Sequence, residues 1–404
     1  MTVANMVKGI DQGQLLERVK DVDVYVRELR GYLHEHPEVS ANEFETTKFL
    51  QEEVKKLGLP IEMASNTGFI ATMDTGKPGK TVGLRTDIDA LPVKENPVNL
   101  SKQKKWISKN EGASHVCGHD AHMAILLGTM KILHGLKDGL SGKIVFIFEE
   151  GEEIGSGIAG MLDKLKDKGI DAIYGTHVTS FMKTGEICLD AGPRMAGYAA
   201  VEFDVVGKSG HGSRPDLSIN PVFAAAQVLS GIASAWSNQI DVSKTVTLGL
   251  TQIHGGTANN IIPDKVYVGG SLRFFDNDEG VKAVNALKKV TELTATAHNC
   301  TVEFANTGVI GTPLINDTRL AEIAQNGVNQ LLPESLVHDV VWYASESFSR
   351  YSQIAPSVFA FVGVGNEELG SGAEHHNDHF DVDEDALYYG VAATAKFAID
   401  FLNS

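Results

Sequence analysis

At 404 residues the chain exceeds the size at which a single hydrophobic core keeps growing, so two domains are expected. Hydrophobic content of 43% and charged content of 22% are those of an ordinary globular protein, and the formal charge of -17, from 35 basic and 52 acidic side chains, argues against nucleic acid or an anionic membrane as the main partner. Three scattered cysteines, Cys117, Cys188 and Cys300, exclude a disulfide framework and fit a reducing cytoplasm, while Met1 to Val19 lacks an apolar signal core, so neither secretion nor anchoring is expected.

Leu15, Leu16, Val19, Val22, Val26, Leu29 and Leu33 recur at helical spacing, and His36-Pro37 ends the run, which predicts a first helix over Gln14 to Leu33. Glu43 to Leu57 predicts a second. A short strand at Thr81 to Leu84 leads into Arg85-Thr-Asp-Ile-Asp-Ala-Leu-Pro92, a polar run placed where open α/β sheets carry function. A helix at Ala121 to Leu133, a strand at Lys143 to Phe148, a helix at Ile158 to Lys168 and a strand at Ala172 to His177 follow. Strands spaced by helices predict an α/β fold with a mixed, largely parallel sheet flanked by helices.

Between about Arg194 and Thr312 the pattern changes. Strand-like stretches at Ala200 to Val206, Thr245 to Leu250 and Lys265 to Phe275 flank helical patterns at Pro221 to Trp236 and Glu279 to Ala297, which predicts an inserted, smaller α+β domain. A helix at Thr318 to Leu332, a strand at Ser357 to Val364 and a helix at Asp383 to Leu402 then resume the first domain. The expected division is 1–193 with 313–404 for one domain and 194–312 for the other. No internal repeat is present, and the basic stretch Lys102 to Lys109 is short enough to be a solvated loop.

Chemistry concentrates in three places. His115-Val-Cys-Gly-His-Asp120 puts a thiol and an imidazole within three positions, just ahead of an apolar helix. A soft thiolate beside an imidazole suggests a metal site. Glu149, Glu150, Glu152 and Glu153 follow an apolar strand, and His375, His376 and His379 lie near the C-terminus. Acids and imidazoles placed after strands have the composition of a catalytic metal centre, which needs deprotonated ligands, an open position and a nearby base. Taken alone, each cluster has a bland reading: a buried thiol, a solvated acidic turn, a structural histidine.

Six motifs in order, from about Leu29 to Leu402, resemble the co-catalytic metallopeptidases that include aminoacylase, carboxypeptidase G and the dipeptidases. Cys117-Gly-His-Asp-Ala-His122 is similar to the mark of the amidohydrolase branch, which holds hippurate hydrolases and hydrolases of indole-acetyl amino acids; other branches carry aspartate in place of the cysteine. The resemblance implies that Cys117, His119, Glu153, His177 and His376 are metal ligands, with Cys117 as the bridge and His375 as the rival of His376. It makes Glu152 the general base and Asp87 the residue that holds a ligand imidazole, a role Asp89 could also fill.

In the insertion, His211 of Gly207-Lys-Ser-Gly-His-Gly212 matches a histidine that reaches a neighbouring subunit's active site to stabilise the oxyanion. Asn260 and Arg273 match positions that contact the substrate's carboxylate. Two departures from the branch stand out. Glu149-Glu150-Gly151 replaces the usual Gln-Pro-Ala before the acidic pair, and Ser347 interrupts the pattern around Glu346.

The resemblance thus implies a hydrolase of N-acyl amino acids that uses two divalent ions per subunit, zinc or manganese, and forms at least a homodimer. Cleavage of short peptides by an aminopeptidase, dipeptidase or carboxypeptidase is the alternative within the family. From other classes, Cys117 as a metal-independent nucleophile leaves the acidic pair without a task, and a non-catalytic metal-binding relative leaves the base without one.

Overall fold

The computed structural model describes residues 12–404; the first part of the stretch Met1 to Val19 lies outside them. The chain divides into two compact units. One comprises the described residues up to Gly192 together with Ile315–Val340 and Arg350–Ser404, and the other comprises Pro193–Leu314 and Val341–Ser349. Val341–Ser349, which the sequence division leaves in the first domain, joins the second unit because Trp342 donates its backbone N–H to Arg194 O at 2.8 Å and pairs with Met195.

The first unit is built on a seven-stranded sheet. Its spatial order is Ile61–Met63, Phe69–Asp74, Lys143–Glu149, Thr81–Asp87, Ala172–Lys183, Ser357–Gly365 and Ile187–Cys188. The three central pairings, from Lys143–Glu149 across to Ser357–Gly365, are parallel, and both margins are antiparallel. Central strands such as Lys143–Glu149 are buried from Ile144 onward, the continuous apolar run expected of a sheet covered on both faces. Helices Gln12–Glu35, His119–Gly135, Thr318–Leu331 and Asp385–Asn403 supply the cover; Leu15, Val19, Val22, Val26, Leu29 and Leu33 all enter the core from the first of them.

Three strands of this sheet, Ile61–Met63, Phe69–Asp74 and Ile187–Cys188, have no counterpart in the sequence reading. The strand expected at Thr81 to Leu84 runs on to Asp87, because Arg85 and Asp87 pair inside the sheet at 2.9 Å and so tolerate burial.

The second unit holds an antiparallel sheet in the order Val246–His254, Lys265–Phe274, Gly197–Val206 and Thr301–Phe304, with Gly308–Gly311 also paired to Gly197–Val206. Helices Pro221–Gln239 and Asn277–Ala297 pack on it through Ala224, Val228, Ile232, Ala283 and Leu287. Asn220 caps the former by accepting the Val222 N–H, and Asp276 caps the latter by accepting the Glu279 N–H. Among the described residues, no helix is long and apolar enough to cross a membrane.

Candidate metal centre

The predicted ligands converge at the C-terminal ends of the parallel strands of the first unit. Cys117 and His119 flank Gly118, whose φ of 88° is left-handed and whose α-carbon sits against the Val178 side chain, so a side chain there would be both strained and blocked. That glycine turns the chain into helix His119–Gly135 and leaves Cys117 and His119 on the same side of the turn. His177 comes from strand Ala172–Lys183, and its Nε2 lies 3.7 Å from Cys117 Sγ. Glu152 and Glu153 form a single helical turn just after strand Lys143–Glu149. His376 has a φ of 66° and donates its backbone N–H to Val116 O, which brings its Nε2 to 3.4 Å from Glu153 Oε1.

These side chains form overlapping sets whose donor atoms lie within 4.8 Å of one another: Cys117, His119 and His177; Cys117, Glu153 and His376; and His119, Glu152 and Glu153. Cys117 is common to the first two sets, the position a bridging ligand between two ions would take. The donor set also passes a test of fit. His119 Nε2 and Glu153 Oε1 are buried, face each other at 3.8 Å and have no hydrogen-bond partner among the described residues. Orphaned buried polar atoms are costly, and a cation shared between an imidazole and a carboxylate would satisfy both.

Electrostatics at the site follow from the same crowding. Burial pushes the Cys117 thiol well up, and the Glu153 carboxylate adds to the effect. Burial opposes protonation of His119, but Asp87 and Cys117 outweigh it and raise the imidazole well above its ordinary value. His177 is held well below its ordinary value by burial and by the rings of His122 and His375. A ring kept neutral is a ring able to ligate.

Support for the ligands differs from the sequence reading in one respect. Asp89, the alternative, holds the imidazole of His119: Nδ1 of the ring lies 3.1 Å from Asp89 Oδ1 and 3.0 Å from the Asp89 carbonyl oxygen. The other Asp89 oxygen accepts the Glu153 N–H at 3.1 Å and the Ser40 hydroxyl at 2.7 Å. Asp87 hydrogen-bonds to His122 at 2.8 Å and approaches His119 Nε2 only to 3.7 Å. Of the adjacent C-terminal histidines, His376 joins the cluster. His375 turns inward, where its Nε2 accepts the Ser180 N–H and its ring packs on Phe380, with burial and the neighbouring His122 and His376 lowering it to about 3.

The extra acids are accounted for as well. Glu149 Oε2 accepts from Arg85 Nε and from the Tyr351 hydroxyl, each at 2.8 Å, and Glu150 Oε2 accepts from Ser65, Thr67 and Gly68. Neither belongs to a ligand-capable set among the described residues.

His211, Asn260 and Arg273 belong to the second unit. His211 is exposed on the short pairing Gly210–His211 with Ile261–Ile262, its Nδ1 bonded to Ser213, and Asn260 O accepts the Gly212 N–H beside it. Arg273 is a half-buried cation with no ion pair to a carboxylate among the described residues. Its guanidinium stacks over Tyr198 at 4.5 Å and donates to Ser345 Oγ at 3.2 Å. Glu346 accepts the Phe348 N–H and so caps the turn that follows it.

Two buried residues beside the cluster lie outside the predicted ligand set. His122 received no role, although its spacing of three from His119 on one helix puts both rings on the same face. Arg85 sits fully buried between two acids, a placement with no signature in a linear sequence.

Residues 83–400 match the family model described as Peptidase family M20/M25/M40. The chain is similar to "Thermostable carboxypeptidase 2" of Saccharolobus solfataricus, with 33% identity over 96% of this chain and 98% of the relative. It is also similar to "IAA-amino acid hydrolase ILR1-like 2" of Arabidopsis thaliana, with 32% identity over 97% of this chain and 89% of the relative. Among solved structures, the Bacillus subtilis YXEP protein, described as a dinuclear metal binding peptidase from the M20 family, superposes with a TM-score of 0.82 at 28% identity, over 95% of this chain and 99% of that one.

Proposed function

We propose, from the premise that this chain belongs to peptidase family M20/M25/M40, that it hydrolyses the amide bond between an acyl group and an amino acid that bears a free carboxylate. The observation that carries the reading is the pair of ligand-capable sets sharing Cys117, with Glu152 directly preceding Glu153 at their edge. Hydrolysis of amide or peptide bonds is the activity of the family, and the relative named as an IAA-amino acid hydrolase favours N-acyl amino acids within it. The relative named as a carboxypeptidase favours a second reading in which the acyl group is itself a peptide. Both readings require the same leaving group.

In this scheme Cys117, His119, Glu153, His177 and His376 hold two divalent ions, zinc or manganese, whose chemistry when bound is to polarise the carbonyl and lower the pKa of water. Glu152 takes a proton from the attacking water and returns it to the departing amine, so one carboxylate serves as base and then as acid. His211 donates to the carbonyl oxygen as charge develops there. Asn260 and Arg273 grip the carboxylate of the leaving amino acid; a guanidinium stacked on Tyr198 with no carboxylate paired to it among the described residues is suited to that task.

His211 acts in this scheme from a neighbouring subunit, which makes the active form at least a homodimer. The exposed margin of the second unit supports an interface there: strand Val246–His254 ends its sheet with most side chains in solvent, and Phe223 is 71% exposed on the adjacent helix.

A panel of N-acyl amino acids and dipeptides, assayed with added zinc or manganese, tests the reading. Glu152→Gln is expected to lower kcat by at least ~100-fold while metal content stays near that of the wild type. Undiminished turnover in E152Q, or full activity of the wild type in excess chelator, would rule the scheme out.

A further inference from the structure

His122 lies in a ligand-capable set with Asp87 and His119, yet both of its ring nitrogens already have hydrogen-bond partners. Nδ1 lies 2.8 Å from Asp87 Oδ1, and Nε2 accepts the Val178 N–H at 2.9 Å. An acceptor nitrogen carries no proton, so the ring hydrogen is on Nδ1 and points to the carboxylate. His122 is therefore not a ligand.

What it touches is the peptide immediately after His177. The Val178 N–H belongs to the amide linking His177 to Val178, and the His177 ring lies edge-on to the His122 ring, with centroids 4.5 Å apart. The His177 Nδ1 bonds to the Val178 carbonyl at 2.6 Å, leaving Nε2 turned towards Cys117 Sγ. Behind His122 the support is a continuous run of hydrogen bonds. Asp87 Oδ2 accepts from Arg85 Nη1 at 2.9 Å, Arg85 Nε donates to Glu149 Oε2 at 2.8 Å, and the Tyr351 hydroxyl donates to the same oxygen. Every member of this chain of contacts is buried.

We propose that His122 is a positioning residue: by accepting the Val178 N–H it fixes the peptide that aims His177 at Cys117, and its Nε2 lone pair is the part of the ring that does so. The inference rests on the reading that Cys117 and His177 hold a metal ion. It extends the site to a residue that supplies no ligand atom, and it explains why a buried histidine needs a carboxylate behind it: Asp87 keeps the proton on Nδ1 and so keeps Nε2 an acceptor.

Two variants of nearly equal shape separate the acceptor from mere bulk. His122→Gln can place an amide oxygen near the position of Nε2, whereas His122→Met cannot accept the N–H comparably. Zinc affinity is measured by competition with a chromophoric chelator, and geometry by the thiolate-to-cobalt charge-transfer band of the Co(II)-loaded protein. H122M is expected to bind zinc at least ~10-fold more weakly, with a shifted or weakened band, while H122Q stays within ~3-fold of the wild type with its band intact.

Equal impairment of both variants, or wild-type affinity and spectrum in H122M, overturns the proposal. If H122M does not fold, His122→Asn replaces it, because the shorter amide can still donate to Asp87 and does not reach the Val178 N–H. Wild-type protein that shows no thiolate band, or that binds zinc equally well after Cys117→Ala, would refute the ligand reading itself, a result distinct from failure of the positioning role.

Discussion

Asp89 offers a quantitative test of how the site is held. One of its oxygens accepts from His119 and the other from the Glu153 backbone N–H and Ser40, so a single carboxylate orients two of the proposed ligands. In Asp89→Asn one oxygen becomes an NH2 group, and either rotamer sets a donor against a donor. If the amide faces Ser40, the hydroxyl can rotate to accept, but the Glu153 N–H cannot. If it faces His119, the ring loses its carboxylate but keeps the Asp89 carbonyl at 3.0 Å. Loss of one hydrogen bond to a charged acceptor costs about 1.5–3 kcal/mol, which at 1.4 kcal/mol per decade is ~10- to 100-fold in metal affinity. The remaining carbonyl contact favours the lower end of that range. The measurement is competition for zinc against a chromophoric chelator, with the melting temperature of the metal-free variant as a control for folding. Zinc affinity within twofold of the wild type in a normally folded D89N protein would refute the assignment of this carboxylate to the ligands.

Two further outcomes follow from other groups. Arg273→Ala is expected to lower kcat/KM by ~10- to 100-fold on N-acyl amino acids and far less on the same compounds with the carboxylate amidated; equal losses on both would remove Arg273 from substrate recognition. Glu95 is buried, which opposes its ionisation, but hydrogen bonding to His34 at 2.8 Å prevails and holds its carboxyl at about 2 instead of 4.5. A lowered folded-state value means that the stabilisation is fully present above about pH 4.5 and is lost as pH falls towards about 2. Its size is on the order of 3 kcal/mol. Denaturant midpoints measured across that window should fall less steeply in Glu95→Gln than in the wild type, and parallel pH profiles would dismiss the contribution.

Much of this architecture was legible in the residues themselves, for reasons of periodicity. The first helix announces itself because Leu15 to Leu33 places an apolar side chain on one face at every turn, and the central strands do so because a sheet covered on both sides demands unbroken apolar runs. Phe69–Asp74 escaped because its six residues neither alternate nor form a long apolar run, and its strand character comes from pairing with Lys143–Glu149 across the sheet. Arg85 and Asp87 look like loop residues in a sequence and lie in a strand in the fold, since each neutralises the other there. The ligand candidates were visible as motifs, but which carboxylate serves which imidazole was not. Asp87 and Asp89 are two positions apart, and only the packing sends one to His122 and the other to His119.

The run Glu149 to Glu153 shows how the fold settles what spacing leaves ambiguous. Four acids in five positions repel one another, so each needs its own source of stabilisation. Glu149 ends its strand against Arg85 and Tyr351, and Glu150 turns into a nest of donors from Ser65, Thr67 and Gly68. Gly151 then adopts a φ of 56° with its N–H held by Glu43 at 2.8 Å, and Gly155 closes the next turn at 65°. That reversal separates the pairs: the first two acids each commit Oε2 to protein donors, while Glu153 is delivered to the buried Nε2 of His119 with Oε1 lacking a hydrogen-bond partner among the described residues. The acid with an oxygen left open is thus the one brought against an imidazole with a nitrogen left open, and a divalent cation is the species that answers both.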